Sequence, residues 1–422
     1  MRTRKTVVIA AAITGLLALS ACSSSSRGGG KATSTRNATA ASGAPIKLGV
    51  LTSVTGAASS SFSTVEKGVK ARIGLANAKG GVGGHKLTYV VADDTSTGPG
   101  AVAAAQKLIQ QDKVYGIMEN SSFFSAAAPT TTKAGIPTTG VSFDAGPEWF
   151  DKSATNVFDA YGYGNYSVVS TTYPQFFKLK SAKRVFAVGY GVSPSSAQNA
   201  EAVAKGSQKQ GLAATYDNSL AFGSTDVGPL VQKIKAFRAD AVYLSTVQST
   251  GYAMAKALRA AGVKYKVLAL ATGYGQDVIS DSATRDAAKG VDFATLIAPV
   301  ETNKPGAALL ASSLKKYAGI NGIPTFGEYI GWLTTDLMIR GLTLAGADAS
   351  SQQFITKLRS STWDGAGLQS PTNFADIKST MGGQDQGRCL YFIKFDGAKF
   401  VPESGASPLC GSIIPGMTIK GK

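Results

Sequence analysis

The sequence predicts an α/β protein of two lobes, each built on its own parallel sheet. Apolar runs of strand length alternate with stretches whose apolar residues recur every three or four positions. That alternation occurs twice, once from Ile46 and again from Arg184. The 422 residues, 44% hydrophobic and 16% charged, supply length and apolar mass for two domains of ordinary size.

The first series opens with the apolar strand 46–51, which ends in the small, polar loop 52–63. Val65, Val69, Ile73 and Ala76 mark one buried helix face, with Lys67, Lys70 and Arg72 between them. The glycine-rich turn 80–84 leads into a second strand, 87–91, closed by Asp93-Asp94. Val102, Ala105, Leu108 and Ile109 give another helix, 114–118 a third strand, and the pattern continues through 136–141. The second series has strands at 184–188, 240–244 and 267–270. Helical stretches follow around 307–317 and 326–344, then a strand at 389–393 with a turn at Asp396-Gly397. Repeated strand–helix units imply parallel strands with crossover helices on both faces. Open sheets of this kind bind ligands at the carboxyl ends of their strands, so two facing lobes make a cleft.

The N-terminus is a different kind of sequence. Arg2, Arg4 and Lys5 precede an apolar run over 7–19, which reads as a secretory signal rather than mature structure. The run falls short of the roughly 20 residues that span a bilayer. It ends in Leu19-Ser20-Ala21-Cys22, which resembles the bacterial lipobox. Residues 1–21 are thus expected to be a lipoprotein signal peptide. Cys22 is the expected lipidation site, and 22–45 a Ser-, Gly-, Ala- and Thr-rich disordered tether. The expected location is extracytoplasmic, with the protein lipid-anchored to the bacterial cell membrane.

The formal charge is +17. Basic residues are spread along the chain and no nucleic-acid module is present, which argues for a solvated basic surface beside anionic lipid and against a nucleic-acid partner. Of three cysteines, Cys389 and Cys410 remain once Cys22 is assigned to lipid. An even pair outside the cytoplasm is expected to form a disulfide. A metal or redox pair would want His partners or Cys-x-x-Cys spacing, and neither is present.

An enzyme is not expected. His85, the one histidine, sits in the glycine-rich turn and reads as a solvent-facing residue rather than a base. There is no Gly-x-Ser-x-Gly elbow and no ligand cluster with metal spacing, so no catalytic residue, metal or cofactor is assigned. The run 78–84 lacks Gly-Lys-Ser/Thr and follows a helix where a phosphate-binding loop would follow a strand. Its glycines suit a tight helix-to-strand return.

Taken in order, 46–51 with Thr55-Gly56, 77–84, Asp93-Asp94, Leu108-Ile109 before Val114, Ser121-Ser122 and 134–137 form a pattern. It resembles the leucine/isoleucine/valine-binding family of ABC-transporter substrate-binding lipoproteins. Thr225-Asp226, 240–242, 258–262 and the helix carrying Tyr329 fit the same family, and the resemblance runs from 46 to about 401. It implies the type I periplasmic-binding fold, two Rossmann-like lobes joined by a three-segment hinge. Residues 46–160 and 297–365 would form lobe 1, and 161–296 and 366–422 lobe 2. The crossings are expected near 159–163, 294–299 and 364–368.

Matched position by position, the resemblance places Ser121 and Ser122 on the loop that holds a ligand carboxylate. Ser142, Phe143 and Asp144 fall on the next cleft loop. Tyr190, Gln248 and Tyr274 are the second-lobe candidates. The second lobe departs from the pattern. Ser195-Ser196 stand where the family carries Tyr-Gly, Val247-Gln248 replace an aromatic, and the carboxylate that would hold an α-ammonium aligns near Ala271-Thr272. Asp277 is the nearest acid there, and Asp144 could act from the other lobe. The implied function is capture of a small polar solute, by family default a branched-chain or other amino acid, for ABC permease subunits. Alternatives are a ligand-sensing receptor, or a binder of amides, urea or aromatic acids.

Overall fold

The computed structural model describes residues 43–149, 155–161, 167–375 and 389–419. The expected signal peptide, Cys22, nearly all of the expected tether, and Tyr163 of the first expected crossing lie outside these residues.

Two sheets organise the chain. The first has strand order β2-β1-β3-β4-β5, from β1 (Ile46–Thr52), β2 (Leu87–Asp93), β3 (Ile117–Asn120), β4 (Thr138–Gly140) and β5 (Val157–Asp159), and every pairing is parallel. All of β1 except Lys47 is buried, the pattern of a strand covered on both faces. Its helices are α1 (Ser59–Phe62), α2 (Val65–Ala78), α3 (Gly98–Gln106) and α4 (Phe124–Ala134).

The second sheet repeats the arrangement. β7 (Arg184–Tyr190), β8 (Ala213–Leu220), β9 (Ala241–Leu244), β10 (Val267–Leu270) and β11 (Asp292–Thr295) run parallel in the order β8-β7-β9-β10-β11. β14 (Cys389–Phe395) and β15 (Phe400–Pro402) extend it antiparallel beyond β11. Helices α5 (Thr172–Leu179), α6 (Pro194–Lys209), α7 (Gly228–Phe237), α8 (Gln248–Ala260), α9 (Gln276–Ser280) and α10 (Ser282–Ala288) connect its strands. Smaller pairings are β6 (Val168–Ser170) with β17 (Ile413–Thr418), β12 (Thr362–Trp363) with β13 (Thr372–Asn373), and β16 (Leu409–Cys410) with β14.

After β11 the chain returns to the first sheet through α11 (Pro305–Ser313), α12 (Phe326–Ala345) and α13 (Ser351–Arg359). α12 is buried along most of its length. It lies tightly against α2 because both helices present glycine at the crossing. A Cβ at Gly331 would overlap the Val65 carbonyl, and one at Gly68 would overlap the Glu328 carbonyl. Among the described residues, no helix is long and apolar enough to cross a membrane.

Both sheets share one winding order, with the direction of winding reversing between β1 and β3 and again between β7 and β9. Loops leaving the carboxyl ends of the strands on either side of such a switch point open a crevice suited to a ligand. The two crevices face each other. Ser195 Oγ donates to the Phe143 carbonyl across them, Gln248 N–H donates to Ser61 Oγ (3.3 Å), and the Phe123 and Phe222 rings meet at 5.4 Å.

Three local outcomes differ from the sequence reading. The third strand starts at Ile117 rather than Val114, because Val114 and Tyr115 spend their N–H groups on the Leu108 and Lys47 carbonyls in the approach to it. The second helix continues past α3 as a widened turn over Lys107–Gln111. His85 is buried, at 2% exposure, instead of facing solvent. Its Nδ1 pairs with the Ala44 carbonyl (2.8 Å) and its Nε2 accepts from Gly43 N–H (3.3 Å), so the ring fastens the incoming chain to the turn. The glycine-rich turn itself closes on a Val82–His85 bridge between α2 and β2. A disulfide joins Cys389 to Cys410.

Candidate functional site

Between the facing crevices lies a cavity of about 110 Å³. Its walls come from the loops after β1, β3, β4, β7, β9 and β10, together with the start of α12 and the strand ends near β11 and β14. One wall is aromatic. Phe143 packs against Phe62 (5.9 Å between centroids), Phe326 (5.6 Å) and Tyr161 (5.0 Å). Rings this close touch one another, so they form a continuous apolar surface. Tyr190 and Phe222, 4.8 Å apart, line the opposite lobe.

The polar groups are hydroxyls and helix N-termini. Ser122 stands at the entrance to α4, Ser193, Ser195 and Ser196 at the start of α6, and Val247 at the start of α8. None of these three helices has its N-cap side chain bonded to its first turn. The positive end of each helix dipole and first-turn N–H groups without a side-chain cap favour a bound anion, although α6 begins with Pro194 and the Gln248 N–H of α8 is taken by Ser61 Oγ. α12, which also reaches the cavity through Phe326, is closed by a capping box of Thr325 and Glu328. Among the described residues that line the cavity, none is charged.

The predicted site residues divide accordingly. Ser122, Phe143 and Tyr190 line the cavity. Tyr190 is fixed from behind, donating to Thr250 Oγ1 (2.6 Å) and accepting from Val247 N–H (3.2 Å). Ser121 does not line it. Its hydroxyl turns inward to the Asp94 carboxylate and accepts from Phe123 N–H (3.0 Å). Ser142 Oγ is directed to Asp159 Oδ2 (3.0 Å).

Asp144 likewise points away from the cavity, accepting from Trp149 Nε1–H (2.6 Å) and Gly146 N–H (3.3 Å). Burial first, and then the neighbouring Glu148 carboxyl, hold Asp144 well above the ordinary Asp range. It is placed neither to touch a ligand in this cavity nor to carry a charge toward one. Gln248 sits at the rim, donating through Nε2 to Asp277 Oδ2 (2.7 Å). Tyr274 faces a smaller void next to the main one.

Glu119 links the two lobe-1 loops that carry Ser122 and Phe143. It is fully buried, and accepts from Ser121 N–H through Oε1 (2.5 Å) and from Val141 N–H through Oε2 (3.1 Å). Sequence reading missed Glu119, Phe62, Tyr161, Phe326 and Asn199 as parts of the site. The serines at 193–196 did carry a legible signal, a Ser-Pro-Ser-Ser start to a helix after a strand.

This arrangement is that of a two-lobed binding protein, with a ligand enclosed between doubly wound sheets. The chain belongs to the periplasmic binding protein family, whose profile matches residues 45–399. A Leu/Ile/Val-binding protein homologue of Brucella melitensis is 25% identical over 232 residues, 53% of this chain and 61% of that protein. The match thus spans less than two thirds of that relative. Among solved structures, an R. palustris ABC-transporter solute-binding protein in complex with benzoate superposes with a TM-score of 0.70 at 18% identity. That comparison covers 86% of this chain and 97% of the other. A leucine-binding protein of Thermotoga maritima gives a TM-score of 0.68 at 17% identity, over 85% and 98% of the two chains.

Proposed function

We propose that this protein is the extracytoplasmic solute-binding component of an ABC importer, anchored through Cys22, and that it captures a small carboxylate carrying an aromatic ring and no ammonium group. The carrying observation is the cavity lining, in which aromatic walls and helix N-termini without side-chain caps meet and, among the described residues, no charged side chain is present. A carboxylate gains charge-assisted hydrogen bonds from hydroxyls and first-turn N–H groups. An α-ammonium would be buried without a counter-charge, which is costly. That weighs against a branched-chain amino acid, the family default, even though a leucine-binding protein is among the structural neighbours. The benzoate complex of another neighbour supports the aromatic reading.

In this reading 46–160 and 297–365 act as one jaw and 161–296 and 366–422 as the other. Closure about the hinge removes water from the ligand. A thermal-shift screen of the purified protein against aromatic acids, amides, urea and branched-chain amino acids tests it, since a ligand that binds the folded state raises its apparent stability. Benzoate-like acids should raise the melting temperature and leucine, isoleucine and valine should not. The reverse pattern refutes the reading.

A further inference from the structure

The two edges of the first sheet differ in charge. The connections that leave its carboxyl edge, 53–58, 94–97, 121–123 and 141–146, hold no lysine or arginine. The stretches that enter its strands at the amino edge, 43–47, 79–86, 107–116 and 133–137, are basic. They carry Lys47, Lys79, Lys86, Lys107, Lys113 and Lys133, all exposed, and a single acid, Asp112. Asp112 pairs with Lys107 (2.6 Å), and among the described residues the other five lysines have no carboxylate within ion-pair reach.

The sheet sets these charges in a row. β2, β1, β3 and β4 are successive neighbours, so Lys86, Lys47, Lys113 and Lys133 stand at the amino ends of adjacent strands. At roughly 4.8 Å per strand the row spans about 14 Å. Backbone bonds hold it in order, with Ile46 N–H donating to the Lys86 carbonyl (2.8 Å) and Tyr115 N–H to the Lys47 carbonyl (2.7 Å). The expected tether joins the body at this same edge, since Gly43 and Ala44 are both bonded to His85 beside Lys86. No large apolar side chain is exposed in these stretches, so nothing in them would insert among acyl chains.

We propose that the amino edge of the first sheet is a docking face for anionic phospholipid, on which the anchored protein rests with the carboxyl edge, and so the cleft, turned away from the headgroups. The proposal depends on the reading of Cys22 as the anchor. Like charges held in a row repel one another, and an anionic surface relieves that repulsion. Lysines suit such a surface, because ammonium groups on flexible stems meet diffuse charge, whereas a single bound phosphate favours the planar fork of arginine. The attraction decays over about 8 Å at physiological salt, and the tether keeps the row near enough to use it. The amino edge of the second sheet also carries exposed lysines, Lys183 and Lys264 among them. Because the two crevices face each other, the two amino edges point apart, and a surface that receives the first leaves the second in solvent.

The test is lysine footprinting of the mature, lipidated protein in vesicles of phosphatidylcholine alone and of phosphatidylcholine with phosphatidylglycerol. Brief acetylation followed by mass spectrometry reads each lysine. Lys47, Lys86, Lys113 and Lys133 should react several-fold more slowly on the anionic vesicles, and Lys183 and Lys264 equally on both. Salt near 1 M, where screening shortens to about 3 Å, should abolish the difference. The double variant Lys86→Glu with Lys133→Glu should lose the protection of Lys47 and Lys113 while keeping the wild-type melting temperature. Equal labelling of the row on the two kinds of vesicle refutes the docking face and leaves the anchor standing. Protection of Lys183 and Lys264 in place of the row refutes it as well. A protein that stays off both kinds of vesicle lacks the anchor, and overturns that reading together with this one.

Discussion

Asp144 lies on a cleft loop yet keeps its carboxyl for the protein interior. Because burial and Glu148 raise its pKa, the folded state keeps a proton that the unfolded chain releases near pH 4. The sign follows from proton counts. Where the native state binds more protons than the unfolded one, stability falls as pH rises. The contribution is therefore fully present below about pH 4 and is lost progressively above it, toward the raised native value. Denaturant melts of Asp144→Asn should match wild type at pH 4 and show a shallower loss of stability between pH 5 and 8. An unchanged slope would mean that Asp144 does not hold the proton.

The serines show the limit of sequence reading at this scale. Ser121-Ser122 was recognisable as a cleft-loop pair, but which hydroxyl faces the ligand depends on Asp94, far away in sequence, which takes Ser121. The aromatic wall was less legible still. Phe62, Phe143, Tyr161 and Phe326 come from separate segments, and no local pattern announces that they will meet.

At the scale of elements, the strands and helices of strong periodicity were legible because burial on both faces demands continuous apolar runs. β1 and β7 are such runs. β8 escaped notice because only its last residue is buried, so its sequence, Ala-Ala-Thr-Tyr-Asp-Asn-Ser-Leu, carries little strand signal. The close contact of α2 with α12 was invisible for another reason, since glycines in helices read as weak points until the partner backbone is seen. Gly331→Ala should cost roughly 1–3 kcal/mol by overpacking against Val65. It should also weaken ligand binding, because α12 carries Phe326 into the cavity wall. Chemical denaturation and a binding titration on the same variant measure both effects. The Cys389–Cys410 bridge pins β16 to β14 one residue from Leu390, another wall residue. Its reduction should lower the unfolding free energy by about 3 kcal/mol in the chain-entropy view of a loop this long. Denaturation with and without reductant reads that difference.

At the scale of the whole molecule, the two crevices meet through named contacts, among them Ser195 Oγ with the Phe143 carbonyl and the Phe123–Phe222 ring pair. Ser60 Oγ reaches Ser249 Oγ at 3.3 Å, Ser61 accepts from Gln248, and Gly223 lies so near Ala57 that a Cβ on it would sit 2.8 Å from the Ala57 Cβ. A ligand that bonds both crevices adds to these contacts and so shifts the population toward the closed form. Gly223→Val should obstruct this approach and weaken every ligand alike, without changing which ligand is preferred. Small-angle scattering should then show less compaction on ligand addition than in wild type.

The central claim is that the cleft selects a carboxylate on a ring and rejects an α-ammonium. It is tested most directly by titrating one preparation of the protein with benzoate and with leucine in a calorimeter. The account predicts a saturable one-to-one heat from benzoate and none from leucine at the same concentrations. Saturable binding of leucine with none of benzoate would contradict it.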